Sequence, residues 1–214
     1  MCGDGTKAIS VLSIFAAWDM ATLQEAEVAK DVPPASWYVA KANFNALVVG
    51  LRDALRDHVA RSQAALVHPG RGALYERMID ERGIKISSWS ERHVAYACGL
   101  GCFGLHGGLI TSAGCAGRLM SFIVGEEFDR YAEVPEDPFF HCLLLSEGKC
   151  GACIERCPVG AISGRGCDVL RCRHYVHTMH EALPAEQRAG ATQACSFCMT
   201  GVPCTTGIPR HGGS

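Results

Sequence analysis

Apolar positions change their period several times along the chain. From Thr6 to Phe15 a short apolar run reads as a buried strand. Phe44, Leu47, Val48, Leu51, Leu55 and Val59 then recur about every three or four residues, which predicts an amphipathic helix of roughly 20 residues. Pro33-Pro34 closes off what precedes that helix. Ala64 to Val67 is a second short apolar run, ended by His68-Pro69-Gly70-Arg71-Gly72. Ser90 ahead of Glu91-Arg92-His93-Val94-Ala95-Tyr96-Ala97 predicts an N-cap and a short helix, with Gly99 as its stop. Leu109 to Thr111 and Leu119 to Val124 read as two further strands. This alternation predicts an α/β (α+β) layer over residues 1–134. From Pro135 the texture turns to loops, cysteines, glycines and prolines, and residues 135–214 are too few to build much core from side chains alone. Bound metal would then supply part of their folding energy.

Composition narrows the classes. With 214 residues and 48% hydrophobic content the chain is globular, with room for one or two domains. Twenty basic residues against 22 acidic ones give a formal charge of −2, so no basic excess argues for nucleic acid. No apolar run approaches the ~18 residues of a membrane span, and Ile9 to Trp18 is short for an export signal. A cytoplasmic location is expected, where thiols stay reduced and available to metals.

Cysteine changes the picture most. There are thirteen, and nine of them lie between positions 142 and 204. The stretch GKCGACIERCPVGAI holds Cys150, Cys153 and Cys157 followed by a proline. That is the bacterial 4Fe-4S run C-x2-C-x2-C-x3-C-P without its first thiolate, whose place is taken by Glu147. Cys142 completes the set as C-x7-C-x2-C-x3-C-P if Leu143 to Lys149 form an inserted loop. Cys167, Cys172 and the triplet Cys195-x2-Cys198-x5-Cys204 follow.

Setting Cys167 aside leaves eight thiolates, the complement of two 4Fe-4S clusters. In two-cluster ferredoxins the cysteine before the proline crosses to the other cluster. By that logic Cys142, Cys150, Cys153 and Cys204 hold one cluster, and Cys157, Cys172, Cys195 and Cys198 the other, with Cys167 the rival of Cys172. Gly148, Gly151 and Gly160 would let backbone N–H groups approach the cluster sulfides. Structural zinc explains the triplets and the Cys-Pro dipeptide poorly, and a disulfide framework lacks an extracellular context. Cys98, Cys102 and Cys115 lie in a glycine-rich run and are expected to pack as small buried residues.

That run, WSERHVAYACGLGCFGLHGGLIT over residues 89–111, could approach a flat ligand closely through its glycines. It is a weak phosphate fingerprint, because the glycines follow a helix-like segment where a dinucleotide motif has a strand. Lys85, Glu91, Arg92, His93 and His106 are its polar candidates. Helix capping and surface charge are the competing roles for Glu91 and His93.

SERHVAYACGLGCFGLHGGLIT, CGACIERCPVGAI and CSFCMTGVPCTTGIP together resemble the iron-sulfur reductase superfamily of epoxyqueuosine reductase and the corrinoid reductive dehalogenases, and most of all a shorter branch of it. The resemblance covers roughly residues 85 to 210 and, less closely, the first strand. It implies a cobalamin-type α/β domain docked on a two-cluster ferredoxin-like domain. Electrons would pass from an external low-potential donor such as ferredoxin or flavodoxin, through the clusters, to cobalamin. The eight cysteines match its cluster ligands, and Glu91-Arg92 with Gly99-Leu100-Gly101 match its cobalamin-lining segment. Lys85 stands where epoxyqueuosine reductase has a proton-donating aspartate, and Ser88 where it has a proline. The start of the chain resembles an interior strand of the cofactor domain.

The sequence therefore predicts a cytoplasmic oxidoreductase relaying electrons through two 4Fe-4S clusters to a cofactor or substrate held at residues 89–111. Lys85, His93 and His106 are candidate proton donors. The alternative is a ferredoxin-type electron-transfer or interaction protein without its own substrate. Neither a nucleic acid nor a membrane is expected as a partner, and the oligomeric state is left open.

Overall fold

The computed structural model describes residues 10–60, 66–69, 75–128, 132–184 and 193–210, Lys85 by its backbone only. Cys2 and the Thr6–Ile9 half of the first predicted strand lie outside the described residues.

Strand β1 (Ser10–Ala17) leads through α1 (Met20–Val28) into the long helix α2 (Ala35–Val59). Asp19 caps α1, accepting from the Thr22 backbone N at 2.9 Å. Pro34 does more than close the preceding segment: it occupies the N-cap of α2, so the helix runs 25 residues where roughly 20 were expected. The missing amide of a proline is tolerated there, since helix starts leave N–H groups unpaired anyway.

Strand β2 (Leu66–Val67), the hairpin β3 (Arg77–Ile79) and β4 (Lys85–Ser87), and helix α3 (Glu91–Ala97) follow. Ser90 is the N-cap residue of α3, but its hydroxyl meets His93 Nδ1 at 2.7 Å and leaves the backbone uncapped. Gly99, at φ 71°, ends the turn. A second hairpin, β5 (Gly101–Phe103) and β6 (Leu109–Thr111), leads to β7 (Gly117–Val124).

The main sheet is antiparallel, in the order β1-β7-β2, with Ser10 opposite Val124 and Ala17 opposite Gly117. Alternation along β7 sends Met120, Phe122 and Val124 onto α2, where they form the principal core with Phe44, Val48 and Val59. The intervening Ser121 is fully buried on the opposite face, towards α3. Gly117 has no room for a side chain: a Cβ there would meet the Ala16 carbonyl oxygen and the Phe15 ring.

Beyond residue 132 the elements are short: α4 (Leu143–Glu147), α5 (Ala152–Glu155), β8 (Ile162–Ser163), β9 (Gly166–Cys167) and α6 (Val169–Glu181). The segment expected to be an inserted loop is thus the one-turn helix α4, with Cys142 as N-cap and Gly148 left-handed at its end. This part lies directly on the first. Cys115 N donates to Cys204 O at 2.9 Å and Ala116 N to Thr205 O at 3.2 Å. Arg156 Nη2 and Thr200 Oγ1 both donate to Ala26 O. Leu23, Ala26, Trp37 and Ala116 pack with Ala194 and Met199.

Candidate functional site

The nine cysteines of the C-terminal part converge from several short elements. Cys142 comes from the start of α4, Cys150 from the α4–α5 turn, Cys153 from α5, Cys157 from the residue before Pro158, and Cys172 from the first turn of α6. The turn segment 193–210 brings Cys195, Cys198 and Cys204, and Cys167 ends β9. Leu105, Ile110 and Ile162 pack among them.

Two sets can be distinguished. The charges of Cys204, Cys142 and Cys150 act on Cys153, whose thiol is pushed up to about 12, first by burial and then by these neighbours. These four cysteines line one cavity of about 30 Å³ together with His106. Cys195, Cys172 and Cys157 act on Cys198, whose thiol burial raises most strongly. With Cys167 they line a second cavity, of about 270 Å³. Cys153 also acts on Cys198, so the two sets adjoin. Thiols crowded and buried in this way lose protons only with difficulty unless a cationic centre compensates the charge, which is what metal coordination supplies.

Two local details belong to the same design. Cys150 has φ 88° and is the one non-glycine residue with positive φ among the described residues. Such a conformation costs on the order of 1–3 kcal/mol and persists where the surroundings or a ligand hold it. Cys157 Sγ accepts the Ala161 backbone N–H at 3.2 Å, a bond that stabilises a thiolate. A Cβ at Gly148, Gly151 or Gly160 would meet open space, so these glycines serve the turns rather than fill a tight approach.

Cys167 and Cys172 differ in kind. Cys167 donates a hydrogen bond to Cys172, which lowers the Cys172 thiol and raises that of Cys167. Cys98 and Cys102 lie apart from both sets, pointing at the Val11 and Asp137 carbonyls. Cys115 packs in the core as expected, with Leu105, Ile110 and Ile162, and it also touches a cysteine of the first set. Its Sγ lies 3.7 Å from Cys204 Sγ, and a ring nitrogen of His106 falls within 4.8 Å of both sulfurs. Gly108 N donates to His106 Nδ1 at 2.9 Å, so Nε2 carries the ring proton; that nitrogen is buried and finds no oxygen or nitrogen partner. Both residues lower the Cys204 thiol, Cys115 more than His106.

A third cavity, of about 370 Å³, opens where β1 and β7 end. Glu91 and Arg92 line it with Gly108, Lys41, Arg118, Trp18 and, from the cysteine segment, Cys195. Glu91 Oε2 accepts from Ser121 Oγ at 2.7 Å, and Ser121 accepts from Trp89 Nε1 at 2.9 Å. Burial raises the Glu91 carboxyl, against the lowering effect of the Ser121 bond. Gly99, Leu100 and Gly101 do not line this cavity. A Cβ on Gly99 would strike Glu133 O, and one on Gly101 would strike Ile110 O, so both glycines serve close backbone packing. His93 rests against Phe103 with ring centroids 5.1 Å apart, while His106 sits between the two cysteine sets.

Sequence reasoning missed Lys41, Arg118 and Cys115. No motif marks them, and only the pairing of β1 with β7 and the docking of α2 and residues 193–210 bring them to the site.

No protein-family model matches the sequence, and no curated protein does. Among solved structures, epoxyqueuosine reductase from Bacillus subtilis, with its catalytic loop swung out of the active site, matches at a TM-score of 0.52 and 20% identity. That match covers 96% of this chain and 50% of the other. An epoxyqueuosine reductase with an epoxyqueuosine-modified tRNA stem loop matches at 0.50 and 19% identity, covering 94% and 50%. The chain thus spans about half the length of the solved structures it matches, and over that half it has the epoxyqueuosine reductase fold.

Proposed function

We propose that the chain is an iron-sulfur oxidoreductase of a reducing, cytoplasm-like compartment, relaying electrons through two 4Fe-4S clusters to a cofactor or substrate in the Glu91–Arg92 cavity. One observation supports this reading: eight cysteines scattered over 63 positions, from Cys142 to Cys204, line two cavities, Cys142, Cys150, Cys153 and Cys204 the first, and Cys157, Cys172, Cys195 and Cys198, with Cys167, the second. Cys142, Cys150, Cys153 and Cys204 would hold one cluster, and Cys157, Cys172, Cys195 and Cys198 the other. The clusters supply one-electron transfer. The protein holds the thiolates, with Cys167 donating to Cys172 and both Cys115 and His106 stabilising Cys204. Cys195 lines both the second cysteine cavity and the Glu91–Arg92 cavity, so the relay ends beside the site it serves. An external low-potential donor such as ferredoxin or flavodoxin would feed it.

Cobalamin is the occupant implied by the resemblance. The cavity is of ordinary substrate size, and a corrinoid would extend well beyond its mouth, so no step is derived through it. Epoxyqueuosine is not proposed as the substrate, because Lys85 stands where the resemblance places that enzyme's aspartate. Glu91, half-buried and linked through Ser121 to Trp89, is the carboxyl best placed to hold a proton at the cavity.

Purification without oxygen tests the reading. About eight irons and eight sulfides per chain, with broad absorption near roughly 400 nm, are expected. Stoichiometric zinc without sulfide, as a His106–Cys115–Cys204 site would bind it, contradicts the proposal. The second reading, an electron carrier without a substrate, is favoured by the exposed Phe139 and Phe140 just ahead of Cys142, an apolar spot suited to a redox partner. Full clusters with no ligand binding at the Glu91–Arg92 cavity would select it.

A further inference from the structure

Three cations border the Glu91–Arg92 cavity. Lys41 comes from the second turn of α2, Arg118 from β7 opposite Ala16, and Arg92 from the start of α3. Lys41 and Arg118 are partly buried and close enough to repel one another. Among the described residues no carboxylate lies within ion-pair distance of any of the three. What they do touch is neutral. Lys41 Nζ donates to Gln193 O, Arg92 Nη1 to Gly107 O, and the Arg118 guanidinium lies 5.2 Å over the Phe44 ring. Glu91, the carboxylate of the same cavity, is engaged by Ser121.

Two like charges held together in a half-buried place cost desolvation and mutual repulsion, which stacking on Phe44 only partly offsets. Surface lysines and arginines avoid that cost by turning outward. Here α2 and β7 hold both against one cavity, beside the indole of Trp18, whose Nε1 is buried without a partner. An anion entering the cavity would relieve the repulsion and take up unused donors of both side chains.

We propose that the cavity bounded by Lys41, Arg92 and Arg118 is an oxyanion site, taking the phosphate or carboxylate group of the ligand that the redox centre serves. The ligand's role rests on the iron-sulfur reading; its charge rests on these three side chains alone. A ligand anchored there by its anionic end would lie between Glu91 on one side and the Cys195 segment on the other, with its apolar part against Trp18 and Phe15.

Calorimetry on the anaerobically purified holoprotein tests this, using inorganic phosphate, adenosine monophosphate, succinate and the neutral nucleoside adenosine as probes, with iron and sulfide assayed in the same sample. Saturable binding of at least one anion and none of adenosine is expected. Phosphate matched by the nucleotide marks a site for the free anion, a much tighter nucleotide marks the phosphate arm of a larger ligand, and tighter succinate marks a carboxylate; each supports the proposal. Arg118→Met and Lys41→Met should each weaken the tightest anion about tenfold or more with cluster content unchanged. Arg92→Met, at an exposed position, does the same if Arg118→Met fails to fold. Adenosine binding as tightly as its monophosphate, no anion binding by a fully loaded protein, or unchanged affinity in Lys41→Met and Arg92→Met would overturn the proposal. Anion binding by a protein devoid of sulfide would instead remove the iron-sulfur reading and leave this one standing.

Discussion

The Sγ of Cys115 lies 3.7 Å from the Sγ of Cys204 and donates to it, while Cys115 belongs to the first part of the chain and Cys204 to its end. With Cys204 as a ligand of the proposed cluster, Cys115 would be a hydrogen-bond donor to it, and hydrogen bonds to cluster sulfurs help set the potential. Cys115→Ala is expected to keep the full iron content and shift the potential of one cluster to more negative values, read by redox titration followed by electron paramagnetic resonance. Cys204→Ala is expected to lose about half of the iron. Iron loss in Cys115→Ala would make that residue a ligand.

Cys142 and Cys172 answer two questions left open by spacing. Cys142→Ala should lower iron and sulfide by about half, leaving one cluster signal, if Cys142, the N-cap of α4, is the first ligand of the run as proposed. Cys172→Ala should remove the other cluster, while Cys167→Ala should retain it with an altered potential, since the bond between them lowers the Cys172 thiol and raises that of Cys167. The reverse result for this pair would exchange their roles.

Ser121 joins Trp89 and Glu91 at a fully buried position. Ser121→Ala leaves an indole N–H and a half-buried carboxyl without their partner, at about 1–3 kcal/mol for each group that water cannot reach. A fall in apparent melting temperature of several degrees is expected in the loaded protein. A shift under one degree would mean that water replaces the hydroxyl.

Lys41 gives a pH dependence with a definite sign. Burial, then the Arg118 charge, lower its ammonium from 10.5 to about 8. The folded protein therefore binds this proton less readily than the unfolded chain, and stability from this group rises with pH between about 8 and 10.5. Anion affinity moves the other way. It is expected to weaken as pH rises above about 8, where Lys41 goes neutral, the other ionisable groups facing the cavity being Arg92, Arg118 and Glu91. A bound anion shifts the midpoint upward. Affinity titrations from pH 7 to 10 on wild type and Lys41→Met check this: the variant should lose most of the slope.

The docking of the two parts has its own weak point at Gly114, with φ 87° and the Thr205 carbonyl where a Cβ would stand. Gly114→Ala should displace residues 204 and 205 and lower cluster retention during purification, measured as iron per chain after gel filtration. Gly148→Ala, at φ 68° but facing open space, should cost only its local turn strain, about 1 kcal/mol, with iron retained.

Much of the fold, and the gathering of the C-terminal cysteines, is legible in the sequence, for a physical reason in each case. The α2 periodicity and the β7 alternation mark faces that must be buried, and Cys150, Cys153 and Cys157 before a proline mark a cluster run, because local spacing governs how thiolates reach one metal centre. Other features are set by distant parts of the chain. The displaced segment after Cys142 reads as a loop yet closes one helical turn ending on Gly148, since five residues suffice for it once Cys142 is anchored. Gly99 and Gly101 look like ligand-approach glycines, but close backbone neighbours at Glu133 and Ile110 claim that space. Cys115 packs in the core as its spacing suggests, and its added contact with Cys204 comes only from laying residues 204 and 205 along residues 115 and 116. Lys41 and Arg118 are 77 positions apart and carry no motif; pairing β1 with β7 and packing α2 across them places two like charges at one cavity. Sequence alone determined the amphipathic faces and the local cysteine run, because both are properties of spacing. Only tertiary structure decided which thiols and which cations meet, because those meetings depend on how separate elements pack.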